Sequence, residues 1–215
     1  MSARIQSIAA GSSDDPAINS LIDFAKNGFG DTQMFGLIAH RPELLKRVAS
    51  MFAYFLAGEG GLIEPRLLKL MRVRGAHLNA CTYCATVRLQ PVAEEVKAKE
   101  GALGVCDISG MTKSQAVESL RDKLAKSEFT PREAAALSLV DRIIVDPHSV
   151  DDALFAELRK HFSDEQIIEL VCASSLFTWA GTLNTVVRLD TDRDGNYRKH
   201  LTYAAAPARA KVAVS

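Results

Sequence analysis

The sequence predicts an all-α fold, a single-domain helical bundle. Three observations carry this. Helix start signals recur along the chain, several of them with proline at the first helical position. Between them, apolar residues fall at helical spacing. No run alternates apolar and polar residues convincingly enough to read as a strand, and the capping signals around the short apolar run LSLVDRIIV favour a helix there too.

Taken in order, Asp14-Asp15-Pro16 opens a stretch that places Ile18, Leu21, Ile22 and Phe24 on one side. Pro42 opens PELLKRVASMFAYFLAG, and Gly58 supplies the stop. Pro65 opens PRLLKLMRVRGAHLN, where Leu67, Leu68, Met71 and Leu78 form an apolar face. Next, HLNACTYC suggests a helix beginning near Asn79, with Pro91 kinking or restarting it. Residues 100–112 read as a loop. Thr130-Pro131-Arg132-Glu133 is a capping box, in which the threonine hydroxyl and glutamate carboxylate satisfy each other's orphan amides. Ser149-Val150-Asp151-Asp152 is a weaker start after the Asp146-Pro147 break. Ser163-Asp164-Glu165-Gln166 is a second box, and it opens the long apolar segment IIELVCASSLFTWAGTLNTVV. About seven helices follow. Residues 1–13 read as a flexible lead, 14–190 as the domain and 191–215 as a polar, then Ala-rich tail.

Composition narrows the function. With 47% hydrophobic residues in 215, the chain can bury a real core. Its 26 basic and 26 acidic residues cancel, which argues against a nucleic-acid partner, since a dedicated binder shows a basic stripe. No uninterrupted apolar run approaches the roughly 18 residues of a membrane span. The start, MSARIQSIAAGSSDD, lacks the apolar stretch of a secretory signal, so a cytoplasmic protein without a membrane partner is expected.

Four cysteines, Cys81, Cys84, Cys106 and Cys172, are too few for a disulfide scaffold in a chain of this length. The pair three apart, Cys81 and Cys84, can be a redox dithiol, part of a zinc site, or two small buried residues. A structural zinc needs four ligands, and Cys106 and Cys172 supply no second CxxC, although His77 is close by. A thioredoxin motif would follow a strand. A thiol in the first turn of a helix has its thiolate stabilised, and residues three apart can meet on one face. The pair should then lie within the ~4.4–6.8 Å Cα separation of a disulfide.

The run IEPRLLKLMRVRGAHLNACTYC resembles the core of the alkylhydroperoxidase D-like family, within the carboxymuconolactone decarboxylase superfamily. FGLIAHRPELLKRV upstream, and FTPREAAALSLVDRI and FSDEQIIELV downstream, resemble parts of longer members, so the resemblance spans about residues 30–190. It implies a helical hairpin carrying the CxxC pair. It also implies reduction of a small hydroperoxide through a dithiol/disulfide cycle, with no cofactor and no metal. Cys84 would attack and become the sulfenic acid. Cys81 would donate a proton and then resolve it as a disulfide. A dithiol or protein reductant would regenerate the pair, and the chain would work as a homo-oligomer. A decarboxylase-branch enzyme and a catalytically degenerate binding protein are the alternatives within the superfamily.

Two positions depart from the family pattern. A Glu twelve residues before the first cysteine and a His four after the second are here Lys69 and Arg88. Cations lower a thiol pKa, but they cannot shuttle protons as Glu and His do. The leaving alkoxide therefore needs a proton from Cys81, His77 or Tyr83. Elsewhere, DTDRDG resembles a calcium loop but has Leu201 where the bidentate Glu belongs, and it reads as a solvated turn. Glu94 and Glu95 read as a solvated face and His40 as structural. Leu176, Phe177 and Trp179 read as core or oligomer contact, and Cys172 as a small hydrophobe inside an apolar helix.

Overall fold

The computed structural model describes residues 3–56, 60–87, 93–99, 103, 110–125 and 129–189. Among the described residues there are ten α-helices and no strand: α1 Pro16–Phe29, α2 Gln33–Ile38, α3 Pro42–Leu56, α4 Pro65–Leu78, α5 Thr82–Thr86, α6 Ala93–Lys97, α7 Lys113–Ala125, α8 Pro131–Val145, α9 Asp152–Arg159 and α10 Asp164–Val187. A 3-10 turn, Pro147–Ser149, joins α8 to α9. The expectation of about seven names no element at α2, α6 or α7; α7 is thirteen residues of mostly polar side chains, and α2 and α6 are only six and five long. Apolar periodicity does not show in so few residues. Gly58, Arg88, Pro91, Cys106 and the 191–215 tail lie outside the described residues.

The bundle is organised around α4, which packs against α3, α5, α6, α7, α8 and α10. The sequence marks one apolar face on this helix, yet every residue from Leu67 to Leu78 is buried, including Lys69, Arg72, Arg74 and His77. A charge buried this way needs partners. Arg74 donates from Nε and Nη2 to the two carboxylate oxygens of Asp141 on α8, each at 2.6 Å, and from Nη1 to the Leu103 carbonyl at 3.2 Å.

Both capping boxes form as the sequence indicates. The weaker start resolves to Asp151, whose carboxylate accepts the Leu154 amide at 2.9 Å. On the other side of α4, rings of Phe24, Phe29, Phe35 and Phe52 from α1, α2 and α3 interlock at about 6 Å between centroids.

The lead segment is tied to the body more firmly than its polar composition suggests. Arg4 N–H donates to the Val187 carbonyl, Ile8 N–H to Gly36, and the Ser7 hydroxyl to Gln33. His40 Nε2 sits 2.8 Å from the Gln6 carbonyl, a structural role as read. Gly36 has to be glycine for this approach, because a Cβ there would stand 2.3 Å from the Ile8 carbonyl oxygen.

α10 adds detail to two of the sequence readings. It is the one helix among the described residues long and apolar enough, by composition alone, to cross a membrane, and half of that window is buried in the bundle. The sequence reading passes over it because Glu169 interrupts the apolar run. That carboxylate accepts the Leu62 and Ile63 amides and the Tyr54 hydroxyl, clamping the α3–α4 connection. Cys172, read as a small hydrophobe inside an apolar helix, lies on α10 and is exposed.

Candidate functional site

The site forms where the chain turns from α4 into α5. Asn79 ends α4, and Ala80 then takes a left-handed conformation (φ 50°) uncommon for a residue with a Cβ. The Cys81 amide reaches back to the Ala76 carbonyl at 3.0 Å, which closes the turn. Gly181 on α10 makes room for it, since a Cβ there would stand 3.1 Å from Asn79 Nδ2.

Cys81 becomes the N-cap of α5, its sulfur accepting the Cys84 amide at 3.2 Å. The helix thus begins three residues after Asn79, where it was expected, and ends at Thr86, before Pro91. Cys81 and Cys84 are joined as a disulfide with Cα atoms 5.2 Å apart, inside the range set by the spacing argument. The two sulfurs differ in surroundings. Cys84 lines a cleft, while Cys81 is not part of its wall.

Apolar rings from four helices form that wall: Phe29 of α1, Phe35 of α2, Phe52 of α3 and Phe177 of α10. Phe177, read as core or oligomer contact, therefore faces the cleft, whereas Trp179 is partly exposed. Four polar side chains join the rings: Asp31, Arg72, Tyr83 and Asn184. The Tyr83 hydroxyl donates to Asp31 Oδ1 at 2.6 Å and accepts the Met34 amide at 3.2 Å. Burial, then the adjacent Asp31 charge, pushes the Tyr83 phenol well above its ordinary range. Asp31 is itself held by the Gln33 amide at 2.9 Å. Arg72 donates to the Val87 carbonyl at 2.8 Å, fixing the end of α5. Asn184 points its Nδ2 at Cys84 Sγ and Met34 Sδ, each at 3.5 Å.

Of the residues singled out in sequence, the structure brings Cys84 and Tyr83 together on the cleft with Cys81 behind them. His77 is fully buried and its Nδ1 is 2.9 Å from the Val73 carbonyl of its own helix. A carbonyl only accepts, so that nitrogen carries the hydrogen. His77 does not line the cleft, and neither does Lys69, also fully buried. Among the described residues the cation on the cleft is Arg72, one helical turn beyond Lys69 on α4. Arg88 lies outside the described residues. Among those residues no cluster of His, Cys, Asp and Glu suits a metal.

This architecture recurs in solved structures. An uncharacterized peroxidase-related protein from Ralstonia eutropha JMP134, described as an alkylhydroperoxidase AhpD core, superposes with a TM-score of 0.64 over 88% of this chain and 92% of its own, at 17% identity. The fold is alkylhydroperoxidase D-like. A peroxidase-related protein from Silicibacter sp. TM1040, also uncharacterized, matches at 0.61 over 92% and 96% of the two chains, with 13% identity. The debrominase Bmp8, solved with 2,3,4-tribromopyrrole, matches at 0.63 over 87% and 91%, with 15% identity. At these identities the likeness establishes the alkylhydroperoxidase D-like fold alone. In sequence, the uncharacterized protein YnjA of Escherichia coli is 24% identical over 140 residues, 65% of this chain and 69% of its own. No family model matches the chain.

Proposed function

We propose that this chain is a member of the alkylhydroperoxidase D-like family and a thiol-dependent oxidoreductase that reduces hydroperoxides through Cys84 and Cys81. The observation that carries the reading is the bridged pair with one sulfur on a ring-lined cleft beside a buried Tyr–Asp couple. In the dithiol form, Cys84 attacks the terminal oxygen of the hydroperoxide. The S–O bond forms as the O–O bond breaks, leaving a sulfenic acid and an alkoxide that takes a proton. The Cys81 sulfur then attacks Cys84, water leaves, and the disulfide closes. One hydroperoxide and one dithiol give one alcohol, one water and one disulfide, and an external dithiol reverses the last change by exchange.

The proton steps fall to Tyr83 and Asp31, which do the work that the Glu and His of the family pattern do elsewhere. As the Cys84 thiol gives up its proton to the Tyr83 oxygen, the Tyr83 proton moves to Asp31. The reverse exchange supplies the alkoxide. Because the phenol is held well above its ordinary range, this exchange never needs a free phenolate. Arg72 supplies positive charge near the developing anions.

A second dithiol reaction, replacing an aryl halogen by hydrogen with formation of the same disulfide and release of hydrogen halide, has the likeness to the debrominase fold behind it. One experiment separates the two. The reduced chain is mixed with tert-butyl hydroperoxide or, separately, a bromopyrrole, and disulfide formation is followed by mass. One disulfide and one alcohol per hydroperoxide is the expected result, with none in Cys84→Ser. Oxidation by the bromopyrrole alone would replace the peroxidase reading.

A further inference from the structure

We infer that Asn184 is the ligand-orienting residue of the cleft, taking the single O–H or N–H donor of an aryl-bodied ligand and setting it against the Cys84 sulfur. This deepens the reading above and rests on it for the reaction, but not for binding.

The position is unusual for an amide. Asn184 is 2% exposed near the C-terminal end of α10 and belongs to the cleft wall. Its Nδ2 faces the Cys84 and Met34 sulfurs at 3.5 Å each. Sulfur accepts weakly and the amide oxygen would meet sulfur lone pairs, so the nitrogen end belongs on that side. The oxygen is thereby turned away from both sulfurs. Asn184 Oδ1 is buried with no hydrogen-bond partner among the described residues. A buried acceptor left this way is costly, and few occur in a folded chain. Oδ1 shares its amide carbon with the nitrogen that touches the reactive sulfur, and Asn184 belongs to a cleft wall that includes Phe29, Phe35, Phe52 and Phe177. A ligand with one donor satisfies the oxygen, and an aryl body fills the rest by edge-to-face packing.

For a hydroperoxide the pairing also sets the geometry of attack. The donor is the hydrogen on the terminal oxygen, the atom that Cys84 attacks. That hydrogen stays with its oxygen as the sulfenic acid forms, so Asn184 holds it through the step, while the O–O bond leads toward the rings. A ligand without a donor leaves Oδ1 unsatisfied.

The test uses unreactive probes on the oxidised protein. Cumyl alcohol has the aryl body and the donor, and cumyl methyl ether has the body alone. By calorimetry the alcohol should bind at least about tenfold tighter than the ether to the wild type, and equally with it to Asn184→Leu, which keeps the side-chain volume. Phe177→Ala should weaken both. Equal binding in the wild type, discrimination that survives in Asn184→Leu, or binding of neither probe would overturn the inference. A parallel arm oxidises the reduced protein with cumene hydroperoxide, where Asn184→Leu should be about tenfold slower after division by its iodoacetamide alkylation rate, which corrects for loss of the amide beside the Cys84 sulfur. An Asn184-independent oxidation rate counts against the inference. If the wild type is not oxidised at all while the probes are still discriminated, the peroxidase reading falls and the binding inference stands.

Discussion

Cys84 and Cys81 hold unequal stations, and that inequality fixes what single substitutions should do. Cys84 borders the cleft, while Cys81 caps α5 from behind it. Hydroperoxide should therefore leave Cys81→Ser with a sulfenic acid at Cys84, trapped as a dimedone adduct in mass spectra. An adduct in Cys84→Ser instead would exchange the two roles. Tyr83→Phe removes the hydroxyl that donates to Asp31 on the cleft wall, and general acid–base groups contribute about 10²-fold or more. Stopped-flow oxidation of the reduced chain should slow by about that factor in Tyr83→Phe and comparably in Asp31→Asn. A rate within twofold of wild type would remove the couple from the mechanism. The cysteines and Tyr83 were legible because they share one short motif whose spacing is itself chemistry. Asp31, Arg72 and Asn184 were not, because each reaches the cleft from a separate helix or connection and nothing local distinguishes them. Lys69 stood out as a departure from a pattern, yet among the described residues the cation that reaches the cleft is one turn further along α4.

Helix ends were easier to read than helix interiors. Thr130 with Glu133, Ser163 with Gln166, and Asp15 before Pro16 all cap where the side-chain chemistry says they should. Burial of α4 on all sides was hidden because its basic residues look like a solvated face until their partners on other helices are known. Arg74 and Asp141 show the consequence: both side chains are essentially inaccessible, so removing one strands the other. Asp141→Ala should lower unfolding free energy by about 3–5 kcal/mol in urea titration, and a loss below ~1 kcal/mol would mean that Arg74 finds another partner. Glu133 adds a pH dependence. Burial would raise its pKa, but hydrogen bonds from Lys99, the Thr130 amide and Arg66 outweigh that and hold it at about 2, against an ordinary 4.5. With the folded value below the unfolded one, its contribution is complete above about 4.5 and disappears as pH falls toward 2. Glu133→Gln should lose about 2 kcal/mol near neutrality and show a flatter stability curve across that window. An unchanged acid limb would assign the acid sensitivity to other carboxylates.

Across the whole molecule, the outer face of α10 carries a surface that the bundle does not cover. Ile168, Cys172, Ser175, Trp179, Thr182 and Val186 recur at helical spacing and are all exposed, Ile168 by 64% and Val186 by 59%. No charged residue stands in that row. Exposed Leu62 lies beside its Ile168 end, because the Leu62 amide is held by Glu169. A monomer rarely leaves a contiguous apolar strip of this length open. A bilayer and a second copy of the chain both fit an apolar strip, and its composition separates them. A helix lying in a membrane interface is usually rich in lysine and arginine along its polar face; α10 has neither between Asp164 and Val187, and Arg4 and Arg188 stand only at its C-terminal end. Ser175 and Thr182 are instead small enough to let a partner helix come close. We therefore expect a homo-oligomer that pairs α10 with α10, a symmetric contact of the commonest closed kind. Light scattering should give at least twice the 23.4 kDa chain mass at micromolar concentration, and Trp179→Lys should reduce it to one chain with the helical circular dichroism unchanged. A wild-type monomer that floats with anionic vesicles would give the strip to the membrane instead, and an oligomer indifferent to Trp179→Lys and Val186→Lys would move the interface to another face.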